Sequence, residues 1–427
     1  MLKRLYQSTI LRSAGKLMSG RIGSMAIGVA GTPIIARLFS PDDYGVAAVF
    51  LAAATVTAGV TPAGYQRAVL FPREEKVAAR LLALALLVSL ALTALSLLVY
   101  GAATVMSPDF GRALRIGNVL WLLPLAALAL AARDAVTVAL LRASKFSTIA
   151  AVDITQSAVI AASRIAWGLV AGSAALGLIT GHIVGLIVAF AIALRSSWPW
   201  LTAGARGLSL KRLASLAAEY RDYPLFRVPA RLAFITADQL PTIALGLLFP
   251  PATVGFFAMA NRVAALPLQA ASRSLSDAVL RKAIGERHGE RAVSPGISKA
   301  AGLLVVVGIP IFTLMHFQGS EVLTWFLGAR WFDAGQMLEI MAVYLFFAWI
   351  GSAFTPVFET LRKNKLQLVL HWLNLSVRIA VFGISFSWKL DVYQTLWAFV
   401  AVACVHQVLV IGVAWRTVTV YDKTRFG

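Results

Sequence analysis

The chain is poor in charge, in acid and in cysteine. Only 14% of its 427 residues are Asp, Glu, Lys or Arg, against about 25% in an ordinary soluble protein. Acidic residues number 19 against 39 basic ones. The single cysteine, Cys404, lies in an apolar run, which excludes an intrachain disulfide framework. No Gly-x-x-x-x-Gly-Lys-Ser/Thr loop is present, so nucleotide hydrolysis by that route is excluded. No His-Glu-x-x-His or Cys-x-x-Cys pattern offers a metal site, and no cofactor is expected. No polar stretch is long enough for a soluble glycosyltransferase domain.

What fills the chain is apolar sequence: 59% of residues are hydrophobic and the mean hydropathy is +0.78. A helix needs roughly 20 apolar residues to cross the hydrocarbon core. Stretches of that kind lie near 17–38, 43–63, 80–100, 116–133, 148–171, 176–194, 226–249, 253–273, 299–317, 337–358, 367–387 and 394–415. The seventh and tenth are the least clean, because each contains acidic residues. The fold class expected is therefore an all-α integral membrane protein of about 12 transmembrane helices. A formal charge of +20 would suggest nucleic acid in a soluble protein. Here it suggests basic cytoplasmic loops facing anionic lipid. With the N-terminus inside, about 31 of the 39 basic residues fall on the cytoplasmic side and about 5 on the other. Both termini are thus expected in the cytoplasm. Residues 1–16 place Leu2, Leu5, Tyr6, Ile10 and Leu11 on one face beside basic residues, as in a short interfacial helix.

A motif occurs twice. Leu38-Phe39-Ser40-Pro41-Asp42-Asp43-Tyr44-Gly45 returns as Leu248-Phe249-Pro250-Pro251-Ala252-Thr253-Val254-Gly255, each copy between two apolar stretches. A second pair, Leu141-Arg142-Ala143-Ser144-Lys145-Phe146 and Leu361-Arg362-Lys363-Asn364-Lys365-Leu366, falls between the fourth and fifth spans and between the tenth and eleventh. Repeats at this spacing predict two six-helix lobes, residues 1–205 and 206–427. An even number of spans per lobe sets their pseudo-twofold axis along the membrane normal, as in carriers built from parallel repeats. Prolines inside spans (Pro33, Pro124, Pro229, Pro241, Pro267, Pro310, Pro356) predict kinks.

Residues 36–50 and 237–262, which carry the first motif and the run Ala-Asp-Gln-Leu before its second copy, resemble the Wzx-type polysaccharide flippases. These belong to the multidrug/oligosaccharidyl-lipid/polysaccharide (MOP) exporter superfamily. Asp238 and Gly255 match motif positions, while Gln239 stands where a basic residue is common. The resemblance implies a MATE-like fold. It also implies movement of an undecaprenyl-pyrophosphate-linked oligosaccharide from the inner to the outer leaflet of a bacterial cytoplasmic membrane. Membrane lipids and a polysaccharide polymerase with its export proteins would be partners; nucleic acid would not. A drug or cation antiporter of the same superfamily and an integral-membrane polymerase are the alternatives. A polymerase should carry a large outer loop, and the longest expected here, near 318–336, has about 19 residues.

Charges within spans are costly, about 2.5–3.5 kcal/mol each, and mark function or pairing. Arg164, Arg262 and Arg378 lie inside spans, and Arg21 lies one turn into the first. Guanidinium forks suit a pyrophosphate, so these four are the candidate substrate-binding residues. Snorkelling to an interface is the structural alternative for Arg164. Asp238 and Arg262 sit at equal distances from the turn at Pro250-Pro251. They are expected to pair, either as a structural lock or to hold Arg262 towards a central cavity. The driving ion, H+ or Na+, is not encoded in any motif. Gln66, Asp153, Gln156, His182, Asn261, Glu339, Glu359, His371 and Asn374 are polar groups able to reach sugar or to serve the helix packing.

Overall fold

The computed structural model describes residues 2–106, 117–206, 208–265, 294–354, 357–358, 361 and 363–426. Among them no strand occurs. The helices are α1 (Leu2–Leu38), α2 (Pro41–Val60), the short α3 (Tyr65–Ala68), α4 (Glu75–Met106), α5 (Leu123–Arg142), α6 (Phe146–Val170), α7 (Ala175–Ala205), α8 (Leu210–Glu219) and α9 (Val228–Leu248). They continue with α10 (residues 251–265), α11 (Ser294–Leu327), α12 (Phe332–Gly351), α13 (Asn364–Ser387) and α14 (Val392–Phe426). Every one of the twelve expected spans overlaps a helix. Among the described residues, nine helices are long and apolar enough to cross a membrane. The stretch that begins α12 is among them, whereas the acid-bearing α9 is not.

Several expected boundaries move. The fourth span does not end at Arg133: α5 runs on to Arg142. Pro124 lies in the first turn of α5, where its missing N–H costs nothing, so it starts a helix and does not kink one. The outer loop expected near 318–336 shrinks to a 3-10 turn, Ala329–Trp331, because α11 continues to Leu327 and α12 begins at Phe332. The basic N-terminal segment is helical and joins the first span without a break. Pro267 and Pro356 lie outside the described residues.

Both duplicated motifs are turns between helices. In the first, Ser40 caps α2: its Oγ accepts from Asp43 N (3.2 Å), and Asp43 Oδ2 accepts from Ser40 N (3.0 Å). Pro41 follows in the first turn, a complete capping box. Ser173 at the head of α7 donates to the same carboxylate. In the other motif, Lys145 N bonds Leu140 O (2.9 Å) and Lys363 N bonds Phe358 O (2.7 Å). Lys145 and Lys363 therefore take the same place at the two helix starts, two residues off the pairing of Lys145 with Lys365 that the motifs predict. Counting on from them, Asp153 on α6 corresponds to His371 on α13, and Gln156 to Asn374.

The chain forms two compact units, Met1–Leu247 and Leu248–Gly427. In the first, α1 and α6 lie side by side and parallel. Gly20 abuts Ala150, Gly23 faces Ile154, Gly31 faces Ala161 and Gly168 faces Leu38. A Cβ on Gly20 would lie 2.4 Å from that of Ala150, so only glycine permits this approach. The α8–α9 segment packs into the same unit. Leu216 joins the cluster of Tyr65, Ala68, Leu81 and Leu82, and Ile235 fills the space over Gly59. In the second unit α11 and α12 pair through Phe312, Phe346 and Trp349, whose rings meet edge to face.

Candidate functional site

The first unit gathers charge where four segments meet. Arg133 and Asp134 are neighbours inside α5, and Asp153 lies on α6. Arg133 donates to Asp153 and, at 3.1 Å, to Asp134. The Arg133 and Asp153 side chains are only 18% and 20% exposed, so this is a half-dry ion pair tying α5 to α6. Arg231, in the first turn of α9, lies within electrostatic reach of Arg67 and Asp134. Packing fixes that placement. Tyr223 O lies 3.3 Å from the Cβ position of Gly64, and Ile235, one turn beyond Arg231, seals Gly59. The carboxylates do not match the cations. Both acids serve Arg133, while Arg231 Nε is buried without a hydrogen-bond partner and the Arg67 residue is exposed. Three guanidinium groups against two carboxylates leave a net positive, donor-rich site. It suits an anion with several oxygens, because each guanidinium offers a planar pair of donors. The Oε1 atoms of Gln66 and Gln156 are also buried and unpartnered.

Arg133, Asp134 and Arg231 were not singled out as site residues from the sequence. The signal available was the pairing of Arg133-Asp134 with an apolar run that resumes at Ala135. That run makes the two charges interior to a helix and not the end of one.

Of the four arginines expected to bind substrate, Arg21 and Arg164 fall in the first unit and are not brought together. The register of α1 against α6 sets Arg21 level with residues 151–153 and Arg164 level with Ile34. That separates them by about 20 Å along the helices at 1.5 Å per residue. Arg21 is exposed, at the depth of the Arg133–Asp153 pair. Arg164 is 5% exposed. Its Nε donates to Leu178 O on α7 at 3.0 Å, and its stem packs on Gly181. It does not snorkel. In the second unit Arg262 is half-buried on α10. Arg378, on α13, lies with its guanidinium 5.1 Å above the ring of Phe399, a cation–π contact. Asp238, on α9, is exposed and accepts a 2.6 Å hydrogen bond from Gln239 Nε2. Glu359 lies outside the described residues. Among the described residues no group of His, Cys, Asp and Glu could hold a metal ion.

The helical order and the membrane-length helices define a multi-pass all-α membrane fold, the one seen in solved transporters of the MOP superfamily. An inward-facing multidrug resistance MATE family transporter of that superfamily superposes with a TM-score of 0.67 at 16% identity, covering 95% of this chain and 96% of its own. The lipid II flippase MurJ in an inward closed conformation gives 0.74 at 12% identity, with 95% and 90% covered. A MOP superfamily transporter from Pyrococcus furiosus gives 0.56 at 14%, with 96% and 95% covered. The chain belongs to the family of polysaccharide biosynthesis proteins, whose model matches residues 34–336. No curated protein sequence matches it.

Proposed function

We infer that this transporter is a flippase for an undecaprenyl-pyrophosphate-linked oligosaccharide, moving it from the inner to the outer leaflet of a bacterial cytoplasmic membrane by alternating access. The product would feed an O-antigen, capsule or exopolysaccharide route. The observation that carries the reading is the family match over residues 34–336 on a MOP fold. The cation-rich chemistry supports it. Guanidinium groups outnumber carboxylates where Arg67, Arg133 and Arg231 meet, and Arg21, Arg164, Arg262 and Arg378 add four more within or beside spans. A cationic drug would need the opposite balance. The four-residue link 328–331 between α11 and α12 also differs from the large outer loop expected of a polymerase, so the chain is read as a carrier and not an enzyme.

On this reading the arginines bind pyrophosphate oxygens by forked contacts and the polyprenyl tail stays in lipid. Asp238 holds Arg262 in place or binds the coupling ion. The basic loops and both termini face the cytoplasm, and a polymerase and export proteins act next. The test is genetic and chemical together. Deleting the chain should stop surface polysaccharide while the lipid-linked oligosaccharide accumulates on the cytoplasmic leaflet. Normal polysaccharide with new sensitivity to cationic drugs would replace this reading with efflux.

A further inference from the structure

The segment that joins α7 to α9, residues 206–227, helps to place Arg231 but carries none of the charges of the site above. Its helix α8 has an apolar stripe at helical spacing, Leu213, Leu216, Ala217 and Tyr220. That stripe is already covered. It packs on Tyr65, Leu81 and Leu82, and Tyr65 Oη donates to Ala217 O at 3.3 Å. A second set of apolar groups is left outside this core. Leu210 at the head of α8 is exposed, and so is Phe71, which follows α3. Leu225 and Phe226 are 59% and 70% exposed. They sit in a wide turn, where Val228 N bonds Tyr223 O five residues back. Within it Tyr223 is half-buried and joins the groups on either side: its ring centroid lies 6.4 Å from that of Phe71 and 6.2 Å from that of Tyr220.

Cations stand among these rings. The segment holds Arg206, Lys211, Arg212, Arg221 and Arg227 against Glu219 and Asp222, and all seven are exposed. The Arg227 guanidinium lies 5.5 Å above the Tyr223 ring, a cation–π contact. The surroundings fix where this surface lies. Helix α7 is long and apolar enough to cross a membrane and ends at Ala205. Trp198, exposed near that end, is the residue type that settles at a bilayer interface. Eight residues, about 12 Å of helix, separate it from Arg206. Water suits the cations and not the rings; hydrocarbon suits the rings and not the cations. A leaflet surface with negative headgroups suits both.

We propose that residues 206–227, together with Phe71, form a docking surface for anionic phospholipid on the leaflet where α7 ends. Leu225 and Phe226 enter the boundary between headgroups and acyl chains, and Arg221 and Arg227 meet lipid phosphate. An acidic protein would also meet the cations. The exposed apolar groups, tethered beside a bilayer by α7, favour lipid. The surface holds the link between α7 and α9 to the membrane whatever the carrier moves, so it stands apart from the substrate reading.

The test uses the full chain in nanodiscs of phosphatidylcholine with a rising share of phosphatidylglycerol. Cys404→Ser removes the native thiol, and Leu225→Cys carries a fluorescent dye. Quenching by lipid with a nitroxide near its headgroup reports inserted dye, and quenching by acrylamide in water reports exposed dye. The ratio of inserted to exposed dye should rise with the phosphatidylglycerol share. In phosphatidylglycerol-rich discs Arg221→Gln and Arg227→Gln should each lower that ratio about fivefold, the effect of one basic residue near an anionic surface. About 1 M salt, which shortens the screening length to about 3 Å, should remove the dependence on phosphatidylglycerol. Phe226→Ser should lower the ratio at every composition. A ratio indifferent to phosphatidylglycerol, or a dependence that both arginine variants retain, would overturn the proposal. So would a dye that lipid never quenches and that a polyglutamate peptide alone shields from acrylamide, the mark of an acidic protein partner. No transport is measured, so failure here leaves the substrate reading intact, and loss of that reading leaves the lipid surface intact.

Discussion

At the residue scale the account turns on guanidinium groups and on how many of them have acids to answer. Asp153 answers Arg133 across α5 and α6 in a half-dry setting. Asp153→Ala should therefore leave Arg133 with Asp134 alone and destabilise the protein by about 2 kcal/mol, the loss of a partly screened charged hydrogen bond. The double change with Arg133→Leu should recover most of that loss. Thermal unfolding of purified protein in detergent checks both, and an unchanged melting temperature in the single variant contradicts the pairing. Arg231 is different, because its Nε is buried with no partner. Arg231→Ala should insert and melt much as the wild type does. It should nonetheless lower polysaccharide output by about tenfold, the loss of one charged hydrogen bond to a phosphate oxygen. Radiolabel incorporation into surface polysaccharide measures it. The sequence made Arg164, Arg262 and Arg378 conspicuous because each interrupts an apolar run. It hid Arg133 and Arg231 because each stands at the edge of such a run. Only the packing of α9 on the α2–α3 turn shows that Arg231 lies near Arg67.

At the scale of elements, close contact between helices rests on a few glycines. Gly335→Ala places a methyl 2.2 Å from backbone at Ser320 Cα, whereas Gly246→Ala places one 2.5 Å from the Val49 side-chain Cγ2. Backbone cannot rotate away and a valine methyl can. Gly335→Ala should cost about 1–3 kcal/mol and Gly246→Ala clearly less. Equal melting temperatures would contradict the α11–α12 contact. The twelve helices were legible because each needs only a long apolar run, and the turns at Ser40-Pro41 and Pro250-Pro251 because proline and a capping serine mark helix starts. The outer end of α11 was not legible. Gln318, Gly319, Ser320 and Glu321 read as a loop, and they form one only at Gln318. What rescues the rest is Glu339 accepting from Ser320, a partner nineteen positions along the chain that no local pattern reveals. The register that makes Asp153 equivalent to His371 was likewise hidden, since it appears only in the hydrogen bonds of Lys145 and Lys363.

At the scale of the whole molecule the claim is directional transport of an anionic lipid-linked sugar. Orientation comes first. Reporter tags at residue 205 and at the C-terminus should both be cytoplasmic, because about 31 of the 39 basic residues fall on that side. A protease-accessible C-terminal tag in intact spheroplasts would contradict this topology. Transport itself is decided by reconstitution. Purified protein is placed in liposomes loaded with undecaprenyl-pyrophosphate-linked oligosaccharide, and an impermeant sugar-oxidising reagent is added outside. The account predicts that the protein makes the inner-leaflet pool accessible, raising the oxidised fraction from about half towards all of the lipid-linked sugar. It also predicts that Arg231→Ala and Arg262→Ala slow that rise while Arg262→Lys restores little, since an ammonium lacks the forked geometry. An oxidised fraction that stays at about half with the wild-type protein, while the same liposomes expel a cationic dye, would contradict it.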